Sequence, residues 1–307
     1  MNRRQAVIGL LVGAVAAACN TLGVEGGRRR RLLVFTKSSG YEHSVVKRAQ
    51  AGGPSLVERT LTALGTREGF DVVCEKDGSI FTPQRLGEFD GFCFFTSGLL
   101  TERGTDGHPP MSPEGKDALL EAVWGGKGFV AFHAASDSFH TQPDPPDRSN
   151  RYRNHGAASD PYVRMLGGEF IAHGTPQAAP MRVVDPEFPG MAAFGGGVVQ
   201  RFGEWYSLKD FAPDLHAIAV LETEGMEGTM YRRPPYPVVW ARRHGQGRVF
   251  YSALGHFEEE WEDPAFLAMA LGAIRWAFGD VEADTTPNLE AVAPGYAQLP
   301  PRPGSPS

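Results

Sequence analysis

The chain is poor in cysteine, with three in 307 residues. That excludes a disulfide framework. Neither Cys74 in "FDVVCEKD" nor Cys93 in "DGFCFF" has the spacing of a redox or zinc motif, so both read as core filler in buried strands. Positive charge is not in excess either: 30 Lys and Arg stand against 36 Asp and Glu, a net charge of -6. The basic footprint of a nucleic-acid binder is missing, and DNA or RNA is not an expected partner. There is no internal repeat and no histidine pair at H-x-x-x-H spacing. What the chain does have is apolar residues, 41% of the total, enough over this length to bury a full core. One large α/β domain is expected.

Both ends stand apart from that core. "MNRRQAVIGLLVGAVAAACN" starts with Arg3 and Arg4, runs through an apolar stretch from Ala6 to Ala18, and sets small residues before Cys19. This is the pattern of a secretory signal with a lipoprotein-type end, in which Cys19 would carry the lipid. Residues 1–19 are therefore expected to be a signal and 20–30 a polar, basic tether. A plain secretory signal and an uncleaved apolar anchor are the alternatives. The paired arginines admit the twin-arginine route, which Gln5 and Ala6 fit poorly. The expected location is the bacterial cell envelope, with the protein exported and held to the membrane through its lipid anchor. At the other end, 281–307 finish in "PPRPGSPS", a Pro-rich tail expected to stay unpacked.

Between the ends, short apolar runs alternate with amphipathic stretches. "RLLVFT", "DVVCE", "DGFCFFT" and "GFVAF" read as strands of a parallel sheet covered on both faces. A helix is expected around Leu56 to Leu64. Another runs from Ser112 and Pro113 as cap and first turn to Gly125-Gly126, and a short one covers Pro161 to Leu166. Residues 138–159, rich in Pro, Asp, Arg and Asn, read as a long loop, and loops of that length in a compact domain are usually functional or mobile. "APMRVVD" and "HAIAVLET" resume strand character. In "YPVVWARRHGQGRVFYSAL" two alternating runs flank a hairpin turn. A last helix is expected with Asp263 as cap, Pro264 in its first turn and Gly279 as terminator.

Three histidines share one structural address. His43 follows the first strand, His133 follows "GFVAF" and His256 follows "VFYSAL". Ligands of open parallel sheets bind outside the carboxyl ends of the strands, so residues far apart in sequence would meet at one rim. Each histidine alone could equally be a cap on its own strand.

The motifs "TKSSGYEH", "HAASDSF", "GGEFIAHGTPQ", "EWY" and "VFYSALGHFEEEW" resemble the ThuA-like family, named for trehalose utilisation, over about Arg31 to Gly279. The resemblance implies a flavodoxin-like three-layer sandwich with a mostly parallel central sheet, related to class I glutamine amidotransferases, over 31–280. It also implies a role around sugar metabolism. Amidotransferases of this fold carry a cysteine at the turn where this chain has His133. Without that thiolate, glutamine hydrolysis is not expected. His256 and Glu258 stand where the other two triad members would be, with Glu259 an equal candidate for the acid.

His133 and His256 in one cavity would divide proton work, one donating and one accepting. Asp137 would orient His133 or a sugar hydroxyl, or serve as the N-cap of a following helix. Tyr41, Trp205 and Tyr206 suit stacking on sugar C–H surfaces, and Glu204 in "GEWY" suits a rim acid. His43 and His173 complete the candidate wall, although Gly174 stands where the family pattern has proline after its histidine. His43, His133, His173 and His256 with nearby acids could instead supply three or four ligands to a divalent ion such as zinc. The expected function is acid–base chemistry on a carbohydrate or keto-sugar, as an isomerase, lyase or hydrolase. A non-catalytic sugar-binding or scaffolding lipoprotein and a metal-dependent hydrolase are the alternatives, and a homo-oligomer is left open.

Overall fold

The computed structural model describes residues 28–49 and 52–304. Cys19, the signal and most of the tether lie outside the described residues. Among the described residues no helix is long and apolar enough to cross a membrane.

The local rules of the sequence set the helix ends. In α1 (Leu56–Glu68) Ser55 accepts from the Glu58 amide while Glu58 accepts from the Ser55 amide, and Gly69 at φ 86 ends the helix. Ser112 caps α3 (Pro113–Trp124), and Asp263 caps α5 (Pro264–Phe278), which Gly279 ends at φ 80. Two shorter helices, α2 (Pro83–Leu86) and α4 (Pro161–Leu166), begin on proline behind Thr82 and Asp160.

Five strands, β1 (Arg31–Phe35), β2 (Asp71–Glu75), β3 (Gly91–Phe94), β4 (Gly128–Phe132) and β11 (Gly247–Ser252), form the parallel part in the order β2-β1-β3-β4-β11. This is the strand order of the flavodoxin-like fold. The sheet continues antiparallel through β10 (Tyr236–His244), β9 (His216–Leu221), β6 (Gln177–Val183) and β7 (Gly197–Gly203) to nine strands, of which β10 and β6 alone run against the rest. A separate ribbon pairs β5 (Glu169–His173) with β8 (Tyr206–Lys209). Because α5 packs on β4 and β11 while α3 and α4 also reach β11, the central strands are covered on both faces. Their uninterrupted apolar runs follow from that burial.

The loops beyond the strand ends are braided into one another. Ser38 bridges Ser97, Gly98 bridges Ser138, and the Ser97 carbonyl accepts from both Ser39 and Gly40. Gly98 sits at φ +76, where a Cβ would come within 2.4 Å of the Gly40 amide. No other residue fits so close an approach.

A chain of alternating charge supports the same region. Asp144 grips Arg151, whose Nη1 reaches Asp137 Oδ1 at 3.2 Å; His140 lies 2.5 Å from the same oxygen and 3.1 Å from Glu169. Glu169 accepts from Lys209, which is fully buried and also reaches Asp210 and His155. His140 and Glu169 are buried as well. Removing one member of such a chain strands its neighbours' charge, at a cost of about 3–5 kcal/mol. Burial opposes ionisation of Glu169, yet the bond from His140 and the charge of Lys209 outweigh it and hold the carboxyl at about 2.

Two expectations about the ends change. The tail packs: α6 (Leu289–Val292) buries Leu289 against the body, Ala293 is buried too, and the Arg233 guanidinium holds the Tyr296 carbonyl at 2.7 Å. Proline composition alone hid the apolar contacts of Leu289 and Ala293. At the start, Arg28 and Arg30 pair with Asp90 and Asp280, so the last part of the tether lies against the domain.

Gly98→Ala should lower stability by about 1–3 kcal/mol through left-handed strain and collision with Gly40, read as a fall in the urea midpoint. For Glu169 the folded pKa lies below an unfolded value of roughly 4.3, so its stabilisation is present above that value and is lost as pH falls toward about 2. Glu169→Gln should be destabilised at pH 7, and the gap to the parent should close in acid. A gap independent of pH between 7 and 2.5 would show that its charge is not what stabilises the fold.

Candidate functional site

The β4 strand ends at Phe132, and the chain turns at once into a 3-10 turn over His133–Asp137. His133 takes φ 43 at the junction, a left-handed conformation that costs a side-chain-bearing residue about 1–3 kcal/mol and persists only where its surroundings enforce it. Here the Tyr251 hydroxyl donates to the His133 carbonyl at 2.8 Å, with Ser136 2.8 Å from that hydroxyl. The imidazole is fully buried, and Nδ1 lies 2.9 Å from the Ala253 carbonyl. A carbonyl only accepts, so Nδ1 carries a proton and Nε2 is the nitrogen turned inward, toward His256 and Glu204.

His256 Nδ1 lies 3.0 Å from that Nε2, and the His43 ring stands edge-on to both imidazoles at 5.1 and 5.2 Å between centroids. Glu204 enters among them from the link between β7 and β8. Its Oε2 is 3.3 Å from His133 and 3.1 Å from His256, and its Oε1 is 3.2 Å from His173. Burial opposes ionisation of Glu204, but the bonds to His133 and His256 outweigh it and hold the carboxyl well below its usual range. Burial and the neighbouring imidazoles push His43 down to about 2, so it stays neutral.

His43, His173, His256 and Glu204 form one wall of a cavity of about 490 Å³ at the carboxyl ends of the strands, and His133, fully buried, lies behind them. Gly40 and Gly98 edge it at the crossing of the loops after β1 and β3, the point where strand order reverses and such folds bind ligands. Tyr41, 70% exposed, stands at the mouth, and Tyr206 packs 4.2 Å from the His133 ring. Asp137 also lines the cavity. His140 and Arg151 both bond its Oδ1, which leaves Oδ2 to accept from a ligand.

The structure brings together His43, His133, His173, His256, Glu204, Tyr41, Tyr206 and Asp137. It does not bring in the two acids of "GHFEE": Glu258 and Glu259 are exposed, Glu258 bonding Ser44 and Glu259 facing a different hollow. Glu204 is the carboxylate beside His256 instead, because the 3-10 turn after Phe257 carries the following acids outward. Asp137 neither orients His133 nor caps a helix, being tied to His140 and Arg151. Trp205 is buried, its Nε1 donating to the Gln177 carbonyl. His140, Arg148, Arg151 and Phe170 also line the cavity, and sequence reasoning did not single them out. All but Phe170 sit in the polar 138–159 loop, whose length and composition were the available signal.

One nitrogen from each of His43, His133 and His256 and one Glu204 oxygen lie within 4.8 Å of one another. Tetrahedral zinc ligands stand roughly 3.3 Å apart at ordinary bond lengths. With three imidazoles, a carboxylate and a carbonyl that accepts from His133 Nδ1, these residues fit a divalent ion of the zinc class. A second group, His155, Glu169 and Asp210, has the Lys209 ammonium bonded to all three. It is a closed ion cluster.

No curated protein matches the chain. Among solved structures, a ThuA-like protein from Bacteroides uniformis ATCC 8492 superposes with TM-score 0.58 at 19% identity, covering 82% of this chain and 93% of that one. A ThuA-like protein from Parabacteroides merdae ATCC 43184 gives TM-score 0.51 at 17% identity, covering 87% and 97%. At these identities the likeness speaks to fold. The ThuA family model, described as trehalose utilisation, matches residues 31–277, which spans both the flavodoxin-like sheet and every residue of the histidine cluster: the chain belongs to the ThuA family, and its function is related to trehalose utilisation.

Proposed function

We propose that the protein is an enzyme acting on a carbohydrate or its keto form, with a divalent ion held by His43, His133, His256 and Glu204. The observation that carries this reading is the convergence of three imidazoles and one carboxylate, of which His43, His256 and Glu204 line a sugar-sized cavity. Such an ion polarises a bound carbonyl or hydroxyl oxygen. The chain's own groups do the rest. Asp137 Oδ2 accepts a sugar hydroxyl, and the Tyr41 and Phe170 rings offer faces for its C–H surface. His173, with its side chain 43% exposed, is the imidazole placed to exchange protons with solvent. Glutamine hydrolysis is not part of the reading. Cys74 and Cys93 lie within β2 and β3, and burial pushes both thiols up, Cys74 to about 11.

A second reading, acid–base catalysis without an ion, rests on the 3.0 Å contact between His133 and His256. One experiment separates the two. Purified protein is assayed for bound metal and screened for turnover of disaccharides and their keto forms, with and without chelator. The metal reading expects about one ion per chain, loss of turnover on chelation and recovery on adding zinc. His133→Ala and Glu204→Gln should each lower turnover by about 100-fold or more and release the ion. Chelator-resistant turnover with the same loss in His133→Ala and His256→Ala would move the assignment to the acid–base pair. Saturable sugar binding without turnover of any substrate would make the protein a binder and end both readings.

We further infer that this activity belongs to the cell envelope, from the arginines, apolar stretch and small residues that precede Cys19. Wild-type protein expressed in a bacterium should sediment with membranes, and Cys19→Ala should be released or remain as precursor. Wild-type protein found wholly in the cytosol would end the inference.

A further inference from the structure

A second hollow, of about 600 Å³, opens at the other end of the sheet, between the end of α3, the start of α4 and the turn that joins β10 to β11. It shares nothing with the histidine cavity. Gly247 opens β11 at this end, whereas His256 follows the far end of the strand.

Its most exposed apolar group is Trp124. The chain has five tryptophans; Trp205, Trp240, Trp261 and Trp276 are at most 1% exposed, and Trp124 is 60% exposed. The ring is held in place. Gly245, at φ +59, lets the hairpin turn press against it so closely that a Cβ there would lie 2.5 Å from the indole. His244 meets the ring edge to face at 5.1 Å. A large apolar surface left in water yet fixed in position is a platform for a ligand with an apolar face.

The surrounding charge is net positive, three arginines against the half-exposed carboxylate of Asp214. Arg164 is exposed and has no carboxylate partner among the described residues, its one side-chain bond going to the Ala157 carbonyl at 2.7 Å. Arg242, with its side chain 9% exposed, reaches Asp214 at 2.9 Å, and its Nε is buried with no partner. Arg243 borders the hollow too and shares Glu282 with Arg248. Burial and the charge of Arg242 hold His244 down to about 4, so it adds no charge of its own. A guanidinium without a carboxylate beside an open hollow is a ready seat for a planar anion.

We propose that this hollow binds a carboxylated saccharide, with a pyranose face on Trp124 and the uronate carboxylate on Arg164. A neutral sugar leaves Arg164 unpaired, and a small anion leaves Trp124 uncovered. A uronate offers a partner to each, an apolar face and a carboxylate. The assignment is independent of the chemistry proposed for the histidine cavity.

The test titrates the purified protein with trigalacturonate, with neutral galactotriose and with sodium acetate, following tryptophan emission and heat. Trp124 is the one tryptophan that ligand in the hollow can touch, so its emission reports this site. Trigalacturonate should bind saturably, more weakly at high salt, and at least about tenfold more tightly than galactotriose or acetate. By calorimetry Trp124→Ala and Arg164→Gln should each weaken it about tenfold or more, with the circular dichroism of the folded protein retained. His133→Ala should leave it unchanged. Absence of saturable trigalacturonate binding overturns the proposal. So does equal binding of galactotriose or acetate, or full affinity in both hollow variants.

Discussion

The carboxylate of Glu204 is the one group that ties the imidazoles beside the cavity to one another. Its two oxygens reach His133, His256 and His173, while His43, kept neutral, stands beside them. Desolvation penalises the carboxylate and every imidazolium alike, so the arrangement persists because the groups face one another at bonding distance. The rest of the site follows from delivering them there. A left-handed turn aims His133, the end of β11 leads to His256, the loop after β1 brings His43, and the chain between β7 and β8 carries Glu204 back from the far side of the molecule.

That last path explains what the sequence could and could not reveal. His43, His133 and His256 follow parallel strands, and strands can be read from apolar runs closed by glycine and polar residues. Their meeting at one rim was therefore legible, as were the caps at Ser112 and Asp263. Glu204 comes from the antiparallel extension, where its neighbours in space depend on a ribbon pairing with no periodic signature. Glu258 and Glu259 had the right spacing from His256 but lie in a turn that faces water. Spacing gives distance along the chain, and the direction of a 3-10 turn decides which side chains point inward. The tail was misread for a similar reason: Leu289 and Ala293 find a surface that only the folded domain creates.

The antiparallel half does more than add strands. The β5–β8 ribbon carries Glu169 and Lys209, and through His140 it fixes one oxygen of Asp137. The part of the wall that carries Asp137 is thus set by buried electrostatics, whereas the loops after β1 and β3 are set by backbone contacts such as that of Gly98 with Gly40. One side is held by charge and the other by shape, so the two would respond differently to acid and to substitution.

Arg28 and Arg30 bind the carboxylates of Asp90 and Asp280 at the end of the sheet where β1 and β3 begin, and the histidine cavity opens where those strands finish. Residue 28 therefore meets the domain at the end of the sheet away from the cavity. Pulling on the chain ahead of residue 28 would load four salt-bridged side chains before it strained β1. A molecule tethered by that end would present the histidines outward and turn Trp124 back toward its support, so the two hollows would sample different surroundings.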